Sequence, residues 1–265
     1  MASAPQASLP LFYKDLMPLN SRDHATWRTK STDKAPWLVG QHAIPLTVEE
    51  FPQAARFYPI VFSVGDQPVP LALMGLNEGV NVFVDDEGLV QPDIYIPAYI
   101  RRYPFMLARL NPDSEDLSLC FDPTSDLVGE FDEGNALFDG TEPSEGCKGL
   151  LDFCRNFEEA GMRTGNFIAE LEKHNLLMDG EVAIQQQGLE QPFVYRGFRM
   201  IDQEKLREVR GDVLRTWNQN GLLPLIHAHL FSLELMREVF GRQVAAGKGP
   251  ISVDQLQAPA PVPVA

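Results

Sequence analysis

The sequence predicts an α+β fold: an antiparallel β-meander core, packed with several helices, and a buried C-terminal helix. Three observations predict it. Residues 58–64, 69–76 and 80–84 are short apolar runs, each ended by a turn signal, and turns that short force antiparallel neighbours. From Ser144 the apolar residues recur at steps of three and four, the spacing of one helix face. Residues 222–240 are apolar on almost every face as far as Met236, the pattern of a helix held inside a protein.

Taken in order, residues 1–10 are small, polar and proline-containing and read as a mobile end. Residues 11–45 show no sustained period and read as an extended arm pinned by its aromatics. At Leu46-Thr47-Val48-Glu49-Glu50-Phe51 a helix start is written: Thr47 caps, Glu50 completes a capping box, and Leu46 with Phe51 forms the hydrophobic staple. The three strands of the meander follow, nearly continuous in apolar residues, so both sheet faces are expected to be covered. Pro97 opens a helix and Pro104 interrupts it. Residues 105–110 read as a last apolar turn, and 117–121 and 127–131 as two further strands.

Cys147, Leu150, Cys154 and Phe157 form one stripe of a helix that Gly161 is expected to end, with Thr164 capping the next as far as His174. Residues 176–186 and 191–199 read as a hairpin across 187–190. Asp202 caps a helix with Ile201 and Leu206 as staple and Leu206, Val209, Val213 and Trp217 as buried stripe. Asn220-Gly221 stop it, and a helix over 222–240 follows, expected to be almost inaccessible to solvent over 222–236. The organisation expected is an arm over 1–45, one α+β domain over 46–243, and a disordered Pro/Ala-rich tail over 244–265.

The chain of 265 residues has a formal charge of −15, which argues against nucleic acid as a partner, since phosphate affinity comes from clustered Lys and Arg. Cys120, Cys147 and Cys154 are odd in number and form no CxxC pair, so neither a disulfide framework nor a cysteine zinc site is expected. The N-terminus lacks the basic start and apolar run of a secretory signal, and no apolar run reaches the ~18 residues of a membrane span. A cytoplasmic protein is the simplest reading. Residues 111–146 are dense in acid without the DxDxDG spacing of a calcium loop, and read as solvated loops. No nucleotide-binding glycine motif and no HExxH occurs, and no cofactor or metal is expected.

Six segments carry a resemblance to a known family. Three are Pro-Leu-Thr-Val-Glu-Glu-Phe-Pro within 45–63, Val-Phe-Val-Asp-Asp-Glu-Gly at 82–88 and Tyr-Ile-Pro-Ala-Tyr-Ile-Arg-Arg-Tyr-Pro-Phe-Met-Leu-Ala at 95–108. The others lie at 164–177, 197–209 and 220–239. Together they resemble the SapC family of bacterial proteins, named after a component associated with surface-layer protein secretion. The resemblance implies a role beside envelope or nutrient-uptake functions, because family members tend to be encoded near outer-membrane receptors and tryptophan-halogenase-like proteins. It supplies no catalytic set.

The candidate ligand-binding residues are Arg101, Arg102, Tyr99, Tyr103 and His229, and no catalytic or metal-binding residue is assigned. Guanidinium forks bind carboxylates or phosphates, and the rings around them can stack on a ligand. Adjacent residues on a helix point ~100° apart, so one arginine is expected to face a concave surface and the other to be structural. His227 and His229 cannot share an ion on a helix, and His229 is expected to be buried and hydrogen-bonded to Ser232, one turn away. The leading functional reading is an accessory or binding protein of an envelope-linked or nutrient-uptake system. The alternative is an enzyme, or a small-molecule-binding partner of one, taking an anionic or aromatic ligand in an Arg/aromatic pocket.

Overall fold

The computed structural model describes residues 9–110, 116–186 and 191–249. Residues 1–8 of the expected mobile start over 1–10, Asp113 and Glu115, the hairpin turn at 187–190 and residues 250–265 of the expected tail over 244–265 lie outside the described residues. The helices are α1 (Phe51–Ala54), α2 (Ala98–Arg102), α3 (Glu145–Lys173), α4 (Gln203–Glu208), α5 (Gly211–Gln219), α6 (Leu222–Ser232) and α7 (Leu235–Ala245). With several antiparallel sheets among them, the class is α+β, as the sequence predicts.

The central sheet has five strands in the order Leu177–Asp179, Arg199–Ile201, Ile60–Phe62, Pro70–Leu73, Ala43–Pro45, antiparallel throughout. Its middle strand is buried on both faces, because an apolar run without alternation must find a layer on each side. Ile60 and Phe62 pack into the main core with Phe167, Ile168 and Leu171 of α3. Val61 and Leu73 pack on the opposite side under Met236 and Phe240 of α7.

Residues 80–84 do not form the third strand expected of them. The place beside Pro70–Leu73 is taken by Ala43–Pro45, from the arm. The chain instead doubles back at Gly75, where a Cβ would stand 1.8 Å from the Val80 carbonyl oxygen. Only glycine permits that approach. Asn81 then bonds the carbonyls of Leu38 and Gln41, and Val82, Phe83 and Val84 are buried as loop residues.

Residues 105–110 also differ from expectation. Phe105–Arg109 is a strand paired with Leu117–Phe121, not a helical turn. Phe105 and Leu107 alternate inward with Phe121 onto Cys147 and Cys154 of α3; the period is two, and the cross-strand partner decides it. The three thiols are free and buried, and burial pushes that of Cys154 up to about 11.

α3 is one helix of 29 residues, opened by Ser144, whose hydroxyl accepts from the Cys147 N–H. Gly161 does not end it. A glycine in a helix interior costs only ~1 kcal/mol, too little to stop a helix packed along its length. Thr164 caps nothing: its hydroxyl donates to the Ala160 carbonyl at 2.7 Å and accepts from the Val48 N–H at 3.0 Å. The expected single helix after Asp202 is two, α4 and α5, although Asp202 caps as read.

The apolar stretch 222–240 is likewise divided, into α6 and α7, and the expectation of near-complete burial is corrected. Only Ile226, His229 and Ser232 of α6 are buried, and Phe231 is 74% exposed. α6 packs through one face, onto α1, α5 and two strands of the sheet.

That one face completes the sheet. The middle strand and Arg199–Ile201 share a single pairing, Arg199 opposite Phe62. At the next position, Ile60 opposite Ile201, the His229 ring stands between the strands. Its Nδ1 donates to the Ile60 carbonyl at 2.8 Å, and its Nε2 accepts from the Ile201 N–H at 3.1 Å. The Ile60 N–H donates to Ser232 Oγ at 2.9 Å. A carbonyl can only accept and an amide can only donate, so these partners demand the neutral ring with its proton on Nδ1.

Burial pulls the His229 pKa down to about 4. The unfolded chain takes up this proton near pH 6.5 and the folded chain does not until about 4. Stability is therefore lost as pH falls between those values, by up to ~1.4 kcal/mol per pH unit. In His229→Gln, which keeps one donor and one acceptor without titrating, the slope of denaturation free energy over that window should be shallower by about this amount. Equal slopes in the two proteins would show that the ring does not stay neutral.

Candidate functional site

The site is positioned by a buried carboxylate. Glu50, only 5% exposed, accepts four hydrogen bonds. Its Oε2 takes the Thr47 N–H at 2.8 Å and the Thr47 hydroxyl at 3.0 Å. Its Oε1 takes the Ala98 N–H at 2.6 Å and the Tyr95 hydroxyl at 3.0 Å. The Thr47 N–H bond belongs to the capping box read from the sequence, and the hydroxyl bond adds to it. The second pair ties that turn to the start of α2 and so fixes where the arginines stand. Four donors to one carboxylate satisfy a charge that burial would otherwise disfavour.

α2 sends its two arginines in different directions, as the helical step requires. Arg102 turns inward and is 6% exposed. Its guanidinium lies 4.2 Å from the centre of the Phe157 ring and 4.6 Å from that of Tyr99, with Glu158 at 3.3 Å. Arg101 turns outward. Its Nε donates to the Ile96 carbonyl at 3.0 Å and its Nη2 to the Tyr95 hydroxyl at 3.3 Å. The group faces the Phe153 ring at 5.2 Å and the Tyr95 ring at 5.8 Å.

Arg101, Tyr95, Phe153 and Phe157 line a pocket of about 190 Å³ together with Glu49 and Glu50. Both of these carboxylates are already engaged. Glu49 pairs with Arg163 at 2.6 Å, and Glu50 holds its four donors. Arg101 has no carboxylate partner among the described residues, and its guanidinium is exposed at the pocket. Burial and the neighbouring Glu50 push the Tyr95 hydroxyl up to about 12, which keeps it a neutral donor in that chain of bonds.

The other residues singled out from the sequence are placed apart. Tyr99 is buried beside Arg102 and donates to the Leu11 carbonyl at 3.0 Å. Tyr103 faces the arm, its ring 4.9 Å from Trp37 and 5.3 Å from Tyr13. Burial raises both phenols. His229 lies in the sheet with both ring nitrogens bonded to backbone, while His227 is exposed and stacked on Phe231. Among the described residues no group of three or more His, Cys, Asp or Glu is placed to hold a metal ion. None of their helices is long and apolar enough to cross a membrane.

Glu50 and Phe153 were missed as site residues. The first was read only as a cap, and the second lies off the apolar stripe of α3. Phe153 and Phe157 are four apart, one helical turn, and that spacing was the available signal.

The family model described as SapC matches residues 19–239. The chain belongs to the SapC family. No curated protein and no solved structure matches it.

Glu50→Gln tests the anchor. Whichever way the amide turns, its NH2 meets a backbone N–H, that of Thr47 or that of Ala98. The substitution should cost ~2–4 kcal/mol in chemical denaturation. A loss below ~0.5 kcal/mol, the scatter of an ordinary surface change, would remove Glu50 from this role.

Proposed function

We propose that this SapC-family chain is a binding or accessory protein that recognises an anionic group, carried on an aromatic or other flat body, at Arg101. The observation that supports this reading is an exposed guanidinium without a carboxylate partner among the described residues, set in a concave surface beside Tyr95, Phe153 and Phe157. Its fork is oriented by two internal bonds, so little side-chain freedom is lost on binding. Its rear is fixed through Tyr95 and Glu50 to the capping turn at Thr47. An anion meeting this group in a chain of charge −15 finds its favourable spot sharply localised. We read such a protein as cytoplasmic and as acting with a partner of an envelope, surface-layer or nutrient-uptake system, a reading that membership of the SapC family supports without specifying the system.

The experiment is a calorimetric titration with benzoate, phenylacetate and their neutral amides. The carboxylates should bind and the amides should not. Arg101→Lys keeps the charge but loses the planar fork, and should weaken binding at least tenfold with an unchanged melting temperature. Carboxylates that bind the Lys variant as tightly as the parent, or that do not bind the parent at all, would remove the reading. Ligand recovered unchanged after long incubation is expected of a binding protein. Ligand recovered chemically altered would favour the enzyme reading.

A further inference from the structure

A second, larger cavity of about 560 Å³ adjoins the Arg101 pocket, the two sharing Thr47 and Phe157. It runs between α3, at Gly161, Gly165 and Ile168, and the turn that joins the two middle strands, at Pro68, Val69 and Pro70. We propose that this cavity is a separate binding site for a small apolar molecule with a cationic end, of the alkylammonium class. The proposal does not depend on the Arg101 reading.

Three independent features carry it. The first is room and surface. The volume is that of an ordinary small-molecule site, and the walls are mostly proline, aliphatic and aromatic. A Cβ built on Gly161 or Gly165 meets nothing within 4 Å, so the space reaches down to the helix backbone. The second is charge. The ionisable carboxyls in the lining are Asp66 and Glu172, and no Lys, Arg or His lines the cavity. Glu172 has only Arg199 at 3.9 Å, and Asp66 makes no ion pair among the described residues. A positive end is thus favoured by both the local and the net charge.

The third feature is the state of the hydroxyls. Those of Thr47, Tyr99 and Thr164 all line the cavity, and all donate inside the protein, to Glu50, the Leu11 carbonyl and the Ala160 carbonyl respectively. These hydroxyls offer an anionic head no donor, and the Gln67 amide, the remaining neutral side-chain donor in the lining, compensates little of its desolvation beside Asp66 and Glu172. The neighbouring pockets therefore select opposite charges, Arg101 on one side of Phe157 and Asp66 with Glu172 on the other.

The test is a titration with n-octylammonium, 1-octanol and octanoate. Octylammonium should bind best, and octanoate at least tenfold more weakly. Gly165→Leu fills the cavity and should abolish binding. Gly149→Leu is the control: that glycine stands on the same helix, also with nothing within 4 Å of its Cβ position, and lines neither pocket. Both variants replace a helix-interior glycine by a better helix former, so neither should melt lower than the parent. Ala169→Leu fills the same space from a third position and should reproduce the loss if Gly165→Leu folds poorly. Changing both Asp66→Asn and Glu172→Gln should bring octylammonium down to the level of octanol. Octanoate binding as tightly as octylammonium, or Gly165→Leu and Ala169→Leu both binding like the control, would overturn the proposal. Arg101→Lys should leave octylammonium binding unchanged, so this site and the anion site fail separately.

Discussion

The arrangement of this molecule depends on the carboxylate of Glu50. A buried charge is tolerated only when its oxygens are saturated, and here saturation needs donors from two distant parts of the chain. Thr47 supplies two of them locally, in the turn that opens α1. Tyr95 and the Ala98 N–H supply the others from 45 and 48 residues away. Meeting that requirement draws the start of α2 against the capping turn. The rest follows by helical geometry: one arginine faces the solvent-lined concavity, and the other enters a cage of rings against α3.

A second constraint of the same kind holds the sheet to its helices. At Ile60 the middle strand loses its ladder partner on the side of Arg199–Ile201 while staying opposite Ala72 on the other, and an imidazole and a hydroxyl from one face of α6 take over the freed backbone groups. The two devices resemble each other physically. In both, a polar side chain is buried because backbone donors and acceptors need it, and neither is free to act on a ligand. This separates His229, which the sequence grouped with the arginines, from the surface where Arg101 stands.

Much of this was legible where the signal is local. The capping box at Thr47–Glu50, the cap at Asp202, the strands at Ile60–Phe62 and Pro70–Leu73 and the burial of both sheet faces rest on neighbours within a few residues. The divergent directions of Arg101 and Arg102 follow from one helical step. What was not legible depends on long-range partners. Residues 80–84 have strand composition, but Ala43–Pro45 takes the edge they would need. Gly161 looks like a stop signal, yet packing carries α3 through it. The His229 ring was expected to bond Ser232; its nitrogens bond the backbone of Ile60 and Ile201, while the Ser232 hydroxyl donates to the His229 carbonyl at 2.6 Å and accepts from the Ile60 N–H. α6 is apolar throughout, and composition alone does not say that only one of its faces is covered. The second role of Glu50 is of this kind too, since nothing near position 50 announces the Ala98 N–H.

The central claim is that the concave surface around Arg101 receives an anion on a framework fixed by Glu50. Backbone and Arg Nε–H chemical-shift mapping during a benzoate titration tests it most directly. The account predicts perturbations at the Arg101 Nε–H and at amides of 47–50, 95–101 and 153–160, with the His229 ring and the sheet around Ile60 unmoved. Shifts centred elsewhere, or an Arg101 Nε–H indifferent to a ligand that binds, would contradict it.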